Sequence, residues 1–443
     1  MEPVNVHEPF PVSVGDVIEL DIHDQPYGGA ALGRFSRLAV FVQGAVAGDR
    51  VLARVTEVHA RYARADLISV VTSSPDRVRA ECPLVGRCGG CQWQTTAMAR
   101  QQTAKHGAVV EALRRVGKWE EPPVRDILTS GRPWRYRNKA RYAVITGAKG
   151  TGIGYFGTRT HDLVSISRCP LNMERLDALL HAARDLLIND PRFEDLCATT
   201  NSLTGRTSAA TGETVLRVTA RAASNWEAFA GALRQRIPFV TGVVVAGHPR
   251  HGDRVVWGSG SLTECVRGNE YRVSAASFFQ VNPFAVGTLV DTVAGAAGLQ
   301  GSEILVDAFG GVGLFSFAFH RHAARVFLIE SDASALRDAK AIADALHAEN
   351  VTIVDGSVER AARRIHRADT VICDPPREGA GPGGIHALVS LNPRKLVYVA
   401  CDPASVARDS CFLRTEGFHL AWAQPLDMFP HTYHVETVAL FER

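Results

Sequence analysis

The spacing of apolar and polar residues changes along the chain and predicts three segments. Residues 1–75 contain short β-rich runs separated by turn residues, which predicts a small closed barrel. Residues 76–270 are irregular, with mixed strands and a helical stretch from Met98 to Val116, which predicts an α+β domain. The barrel strands are predicted at Val14–Ile22, Leu38–Val42, Asp49–Val55 and Ala65–Val71.

Residues 271–443 alternate regularly between apolar β runs and helical runs. The clearest helix is predicted over Ala333–Leu346. The last two runs, His419–Gln424 and Val435–Phe441, predict a closing pair of strands. Together the runs indicate a doubly wound α/β sheet. Five parallel strands are predicted at Glu303–Asp307, Arg325–Glu330, Val351–Asp355, Thr370–Asp374 and Lys395–Ala400.

Composition narrows the class of protein only moderately. With 443 residues, 46% hydrophobic and 21% charged, the chain is typical of a globular protein of two or three domains. A net charge of +3 allows an anionic partner only at a local patch. No secretion signal or membrane span is visible, so we expect a cytoplasmic protein. Nine cysteines in such a chain indicate reduced, ligating or catalytic thiols.

A glycine-rich loop follows the first predicted strand of the α/β segment. In Asp307-Ala-Phe-Gly-Gly-Val-Gly-Leu-Phe315, Gly311 and Gly313 would let the backbone approach a bound nucleoside. Glu330 ends the second strand, where it can accept hydrogen bonds from ribose hydroxyls, and Asp355 ends the third, near the adenine edge. The loop lacks the G-x-G-x-x-G spacing of dinucleotide enzymes, so we favour S-adenosylmethionine.

A cysteine stands where the fifth predicted strand ends. Cys401 follows Lys395–Ala400, and Pro403 suits the first position of the next helix. This places a thiol at the carboxyl edge of the sheet, where α/β enzymes bind their ligands, and a helix N-terminus favours the thiolate. A buried structural cysteine is the alternative.

Four other cysteines have the spacing of metal ligands. They suit a tetrahedral zinc ion or an iron–sulfur cluster; zinc is the commoner outcome, and unrelated buried cysteines are the alternative. A radical S-adenosylmethionine cluster would need C-x3-C-x2-C, which is absent. The four are Cys82, Cys88, Cys91 and Cys169.

Tyr27–Gly33 with Val42–Asp49 resembles the TRAM domain, an OB-like RNA-binding barrel. Nearly the whole chain resembles the RNA uracil-5-methyltransferase family, in the branch that carries a TRAM domain and a 4Fe-4S cluster and modifies 23S ribosomal RNA. Several motifs in the family's order carry the resemblance: Cys82-x5-Cys88-Gly-Gly-Cys91-Gln with Cys169-Pro, Phe278-Phe-Gln-Val-Asn282, Asp374-Pro-Pro-Arg-Glu-Gly379, Tyr398-Val-Ala-Cys-Asp-Pro403 with Arg408-Asp409, and Asp427-Met-Phe-Pro430 with His434-Val-Glu436.

The resemblance implies a class I Rossmann-like methyltransferase domain, an N-terminal OB-like TRAM β-barrel and a central α+β iron–sulfur domain. It implies that the four cysteines hold a 4Fe-4S cluster rather than zinc, that Cys401 is the nucleophile and that Glu436 is the proton acceptor. It implies methylation of uridine C5 in 23S rRNA, with no obligate protein partner evident. The residues implied around S-adenosylmethionine and the target base are Gln280, Phe309, Glu330, Asp355 and Asp374.

Two alternatives and three departures accompany the resemblance. The substrate alternative is the T-loop uridine of tRNA, and the alternative of another class is a catalytically silent RNA-binding assembly factor. Gly310 stands where relatives usually carry Cys, Leu314 where they often carry a polar residue, and Asp402 where they usually carry Asn. The Asp402 carboxylate would raise the pKa of the Cys401 thiol if it were close and unpaired. Trp134–Tyr142 interleaves basic and aromatic residues, which predicts RNA contact, with a solvated strand face as the alternative.

Overall fold

The computed structural model describes residues 11–147, 150–221, 225–247 and 252–443. The chain forms two compact units, one extending to Ala108 and including Pro430–His434, the other comprising Val109–Phe429 and Val435–Arg443. Within the described ranges, no helix is both long and apolar enough to cross a membrane. The division into three domains stays a prediction.

The first unit contains the predicted barrel, which five strands close in the order β1-β2-β3-β5-β4. Inward and outward residues alternate along β1 and β3, and Leu20, Val40 and Val42 lie in the apolar interior. The sequence did not predict β2, because its Gly33 weakens the β pattern; a Cβ there would lie 2.6 Å from Leu20 Cδ1. The strands are β1 Val17–Asp24, β2 Ala31–Phe35, β3 Leu38–Gln43, β4 Arg50–His59 and β5 Tyr62–Thr72.

A helix, α1 at Met98–Arg115, confirms the prediction for this stretch to within one residue. A seven-stranded sheet follows, in the order β13-β12-β11-β10-β7-β8-β9, together with a separate β14–β15 hairpin. The short strand β6 Leu128–Thr129 joins the larger sheet described below. The other strands of this region are β7 Lys139–Gly147, β8 Gly150–Phe156, β9 Leu163–Ser165, β10 Thr200–Thr207, β11 Thr214–Ala220, β12 Gly242–Val245, β13 Arg254–Gly258, β14 Ser261–Val266 and β15 Asn269–Ser274. The helices are α2 Glu174–Asn189, α3 Glu194–Thr199 and α4 Trp226–Arg236, with a 3-10 turn at Pro191–Phe193.

An eight-stranded sheet forms the rest of the second unit, in the order β18-β17-β16-β19-β20-β22-β21-β6. The strands are β16 Ile304–Ala308, β17 Arg325–Glu330, β18 Val351–Asp355, β19 Thr370–Cys373, β20 Lys395–Ala400, β21 His419–Asp427 and β22 Glu436–Glu442. The helices are α5 Val286–Ala297, α6 Leu314–Phe319, α7 Ala333–Leu346, α8 Val358–Ala361, α9 Gly381–Val389 and α10 Pro403–Thr415, with 3-10 turns at His320–His322 and Ala362–Arg364.

The predicted doubly wound sheet is therefore confirmed. β17, β18, β20 and α7 have the bounds that the sequence predicts. Strands β16 to β20 are parallel, and β22 enters antiparallel between β20 and β21. The two-residue strand β6 was not predicted, because it is too short to show a pattern. Apolar residues of β16, β19 and β20 pack with α5 and α6 in one core, so the carboxyl ends of these strands are fixed beside each other.

Candidate active site

The strand register brings Cys401 and Glu436 together. Ala400 at the end of β20 pairs with Thr437 of the antiparallel strand β22, so the next residues, Cys401 and Glu436, follow at the same edge of the sheet. Glu436 is 3% exposed, whereas Cys401 is half-buried. A thiol with some access to solvent thus lies beside a fully enclosed carboxyl group.

Four carboxyl groups lie in a row along this edge: those of Glu330, Asp307, Asp374 and Glu436. Burial raises the pKa of Asp307 to about 6, with repulsion from Glu330 adding to the shift. Burial together with Asp307 raises the pKa of Asp374 to about 7. Burial and Asp374 raise the pKa of Glu436 well above its usual value. Each carboxylate therefore opposes ionisation of the next, and the edge favours a cationic ligand.

The thiol pKa is shifted in the direction opposite to our expectation. Burial raises the pKa of Cys401 to about 11, and the Glu436 and Asp374 carboxylates add to the shift, while Arg377 acts in the other direction by charge and hydrogen bond. The N-terminus of α10 does not outweigh burial and two anionic neighbours. The expected lowering of the thiol pKa is therefore wrong for the protein without ligands.

We expect alkylation of Cys401 by iodoacetamide to keep accelerating about tenfold per pH unit up to about pH 11, since only the thiolate reacts. In denatured protein the alkylation rate of Cys401 should level off near the usual cysteine pKa of about 8.5. Asp374→Asn removes one anionic neighbour and should move the plateau to lower pH. Mass spectrometry of the Cys401 peptide measures each rate, and a native plateau at the denatured value would contradict this electrostatic picture.

The condition under which Asp402 would raise the thiol pKa, an unpaired carboxylate, is not met. Its side chain caps α10 by accepting the Ala404 N–H at 2.9 Å. The carboxylate is thus paired with the helix, and the carboxylates that raise the pKa of Cys401 are Glu436 and Asp374. The Asp402 departure serves as a helix cap, for which aspartate and asparagine are both well suited.

The glycine loop between β16 and α6 has a left-handed backbone at three positions. Phe309, Gly311 and Gly313 have φ values of 61°, 57° and 93°. A Cβ on Gly313 would lie 2.4 Å from the Phe317 ring, whereas one on Gly311 would meet no atom within 4 Å. Gly313 is therefore required for packing, and Gly311 for backbone conformation beside open space.

Two acidic residues hold this loop in place. Glu330 Oε2 accepts the Gly311 N–H at 2.9 Å. Asp307 Oδ2 accepts from the N–H and hydroxyl of Ser316 at 2.8 and 2.7 Å, and its buried Oδ1 has no hydrogen-bond partner. At Gly310, a Cβ would lie 3.0 Å from Leu328 Cγ and 3.1 Å from Asp307 Oδ2, so the departure to glycine relieves close packing.

A pocket opens at the loop. Four of the seven predicted cofactor residues, Gln280, Phe309, Gly311 and Asp374, line it. Gly313 and Glu330 lie outside the lining, and Asp355 is exposed at the end of β18, opposite Glu330. The open space at Gly311 and the anionic edge fit a nucleoside that carries a sulfonium cation. The lining residues are Phe278, Phe279, Gln280, Phe309, Gly310, Gly311, Val312, Leu314, Phe315 and Asp374.

The segment that supplies Gln280 is anchored on both sides. The Ser277 hydroxyl donates to Asp338 Oδ2 at 2.6 Å, and Asn282 Nδ2 donates to the Met428 carbonyl at 3.0 Å. Between these anchors Gln280 is buried and Phe278 is 63% exposed. Two motifs distant in sequence, Phe278–Asn282 and Asp427–Pro430, are thus joined at the pocket.

Sequence reasoning gave no role to two residues that support the site. Arg377 is the cation that opposes the rise in the Cys401 pKa. Buried Asp409 accepts from the Ala380 N–H at 2.8 Å and from the Tyr398 hydroxyl at 2.6 Å, which fixes the turn after Asp374–Gly379. Both residues lie in motifs that carry the family resemblance. A charged residue that follows a predicted strand was the sequence feature that could have pointed to them.

The four predicted metal ligands are divided between the two units. Cys82, Cys88 and Cys91 belong to the first unit and Cys169 to the second, and all four are half-buried. Across the described ranges, no three His, Cys, Asp or Glu residues form a group that could hold a metal ion. The cluster therefore stays a prediction, and no reaction step below involves one.

The fold and the site define an S-adenosylmethionine-dependent methyltransferase. The family described as tRNA (uracil-5-)-methyltransferase matches residues 122–443, and the TRAM domain matches residues 11–68. Uncharacterized RNA methyltransferases of Halalkalibacterium halodurans and Gloeobacter violaceus are 32% and 34% identical, with 98% of each chain covered. The crystal structure of Pyrococcus abyssi tRNA (uracil-54, C5)-methyltransferase with S-adenosyl-L-homocysteine has a TM-score of 0.71 at 22% identity, over 95% of this chain and 100% of that one.

The chain belongs to the tRNA (uracil-5-)-methyltransferase family, carries an N-terminal TRAM domain, and is an RNA methyltransferase. The Pyrococcus likeness supports the fold.

Proposed function

We propose that this protein methylates C5 of a uridine through a transient bond between Cys401 Sγ and C6 of the base, with Glu436 removing the C5 proton. The observation that carries the proposal is the pairing of Ala400 with Thr437, which brings Cys401 and Glu436 to the same edge of the sheet as Asp374, a residue of the pocket lining.

Uracil C5 is too weak a nucleophile to accept a methyl group unaided. Addition of the Cys401 thiolate to C6 forms the S–C6 bond and shifts the electron pair of the C5–C6 double bond towards C5 and the O4 enolate. Because the pKa of Cys401 is about 11, thiolate formation must be assisted when the substrates bind. The Arg377 guanidinium acts to lower the pKa of Cys401 and so favours the thiolate.

Enolate oxygen requires a hydrogen-bond donor. Asp374 has a pKa of about 7, so an appreciable fraction of its carboxyl groups is protonated at neutral pH and able to donate. Gln280, buried in the same pocket, can donate from its amide. We assign enolate stabilisation to these two residues.

When bound, S-adenosylmethionine would supply its sulfonium methyl group to C5, the S–CH3 bond breaking to leave S-adenosylhomocysteine. C5 then carries both the methyl group and its original hydrogen. The Glu436 carboxylate takes that proton, the electron pair restores the C5–C6 double bond, and the S–C6 bond breaks to release Cys401. A carboxylate with a raised pKa is a stronger base than an exposed one, which suits this step.

The target base must leave any stack to reach the thiol, so we expect a flipped uridine in a loop. 23S rRNA is the substrate that the sequence motifs favour. The description of the matched family names tRNA, and this observation makes the T-loop uridine an equal candidate. The 4Fe-4S cluster at Cys82, Cys88, Cys91 and Cys169 stays a prediction, which visible absorption of anaerobically purified protein checks.

Mapping 5-methyluridine at base resolution in rRNA and tRNA, from cells with and without this protein, tests the function. We expect one class of RNA to lose 5-methyluridine when the protein is absent, and the purified protein to restore it on unmodified transcripts. Loss in neither class, with no methylation of either transcript, would favour the catalytically silent RNA-binding factor and refute the proposal.

A further inference from the structure

Four cations lie on one face of the sheet built by β7, β10 and β11. Lys139 pairs directly with Arg206, while Arg141 pairs with Thr204, which in turn pairs with Arg217. Residues paired across antiparallel strands share a face, and alternate residues of a strand return to it. We call Lys139, Arg141, Arg206 and Arg217 the cationic face.

The opposite face of these strands is already occupied by α2. A Cβ on Gly205 would lie 2.7 Å from Leu176 Cδ1 and 3.2 Å from Leu179 Cδ2, both on that helix. Gly205 pairs with Ala140 and alternates with Arg206 along β10. The cations therefore lie on the side of the sheet away from α2, and this side also carries the buried Val215 opposite Arg206.

The charges on the cationic face are only partly compensated. Arg217 forms an ion pair with Asp253 at 2.6 Å. Arg206 is buried and is attracted by Glu264 and Asp338, but its Nε and Nη1 have no hydrogen-bond partner. Burial raises the pKa of Glu264 to about 7, so its negative charge is incomplete at neutral pH.

Lys139 is affected by the two neighbouring cations, Arg206 and Arg217. Its Nζ and Arg206 Nη2 both donate to the Ser277 carbonyl at 3.2 Å. Burial, Arg206 and Arg217 lower the pKa of Lys139 to about 7. Like charges paired across strands are destabilising, and buried N–H groups without acceptors cost further free energy. An anion bound beside Lys139 would relieve the repulsion between the like charges.

We infer that Lys139 and Arg141, the accessible part of the cationic face, form a docking site for backbone phosphates of the substrate RNA next to the target uridine. Arg206 is buried and Arg217 is paired with Asp253. Charge complementarity selects the occupant, since polyanionic RNA is the substrate class of this enzyme. The position follows from Ser277, which the face contacts and which precedes Phe278 of the cofactor pocket. The inference rests on the proposed function for placing the uridine in that pocket.

Lys139→Met and Arg141→Met test the docking site. Each should weaken binding of a short RNA stem–loop with a uridine-rich loop roughly tenfold at low salt, because one charge-assisted contact is lost. Each should also reduce the slope of log affinity against log salt by about 0.7 to 0.9, the value for one phosphate contact. Arg141 is exposed, so its variant keeps the Ser277 contacts intact. Fluorescence anisotropy over a salt series measures both quantities.

Lys395→Met is the matched control. Lys395 is a partly exposed strand lysine at the opposite, amino end of β20, and its loss should leave the salt slope unchanged. Wild-type salt slopes in both test variants, or weaker binding with an unchanged slope, would overturn the inference. Failure of the proposed function would look different, because wild-type protein would then form no covalent adduct with 5-fluorouridine RNA whatever the salt slopes.

Discussion

Cys401→Ala is expected to lower methyl transfer by at least about 10⁴-fold, because no other group can add to uracil C6 and activate C5. RNA binding should remain, since the thiol contributes little contact area. With 5-fluorouridine RNA and S-adenosylmethionine, wild-type protein should form an adduct that survives denaturation, because fluorine cannot leave C5 as a proton does. The variant should form none, and a denaturing gel separates the two results.

Cys373→Ala is the control for this experiment. Cys373 ends β19 near the site but is fully buried, and burial holds the pKa of its thiol well above the usual range. We expect this variant to keep the adduct and most of the methyl transfer. Undiminished activity in Cys401→Ala would refute covalent catalysis at this residue.

Glu436→Gln is expected to slow turnover by roughly 10²- to 10⁴-fold, the usual contribution of a positioned base. Methyl transfer precedes proton removal in the proposed order, so one methyl group per enzyme should still reach the RNA. The methylated RNA should then stay bonded to Cys401, even when the RNA carries ordinary uridine. A rapid single-turnover experiment with labelled methyl donor, followed by a denaturing gel, detects this trapped species.

The double variant Cys401→Ala with Glu436→Gln should show no trapped RNA, which assigns the bond to the thiol. Glu442→Gln offers a matched change on the same strand β22, at its far end beside Lys395, and should turn over normally. If Glu436→Gln released methylated RNA at the wild-type rate, another group would have to be the base.

Local hydrophobic periodicity was sufficient for much of the fold. The bounds of β17, β18, β20 and α7 follow from the sequence because each is a strong apolar or amphipathic run with clear breakers. Strands without that signal were missed, as with β2, which contains a glycine packed against Leu20, and the two-residue β6. The position of Cys401 after a predicted strand also indicated a candidate site residue, whereas Gln280 followed only from the family resemblance.

The sequence by itself determined the barrel, the doubly wound sheet and the glycine loop, because these depend on residue type and spacing within short stretches. Only the tertiary structure decided that β22 enters between β20 and β21 and sets Glu436 beside Cys401. It also decided the direction of the Cys401 pKa shift and the assembly of Lys139, Arg206 and Arg217 on one face. Strand pairing and burial join residues far apart in the chain, so short-range patterns do not contain them.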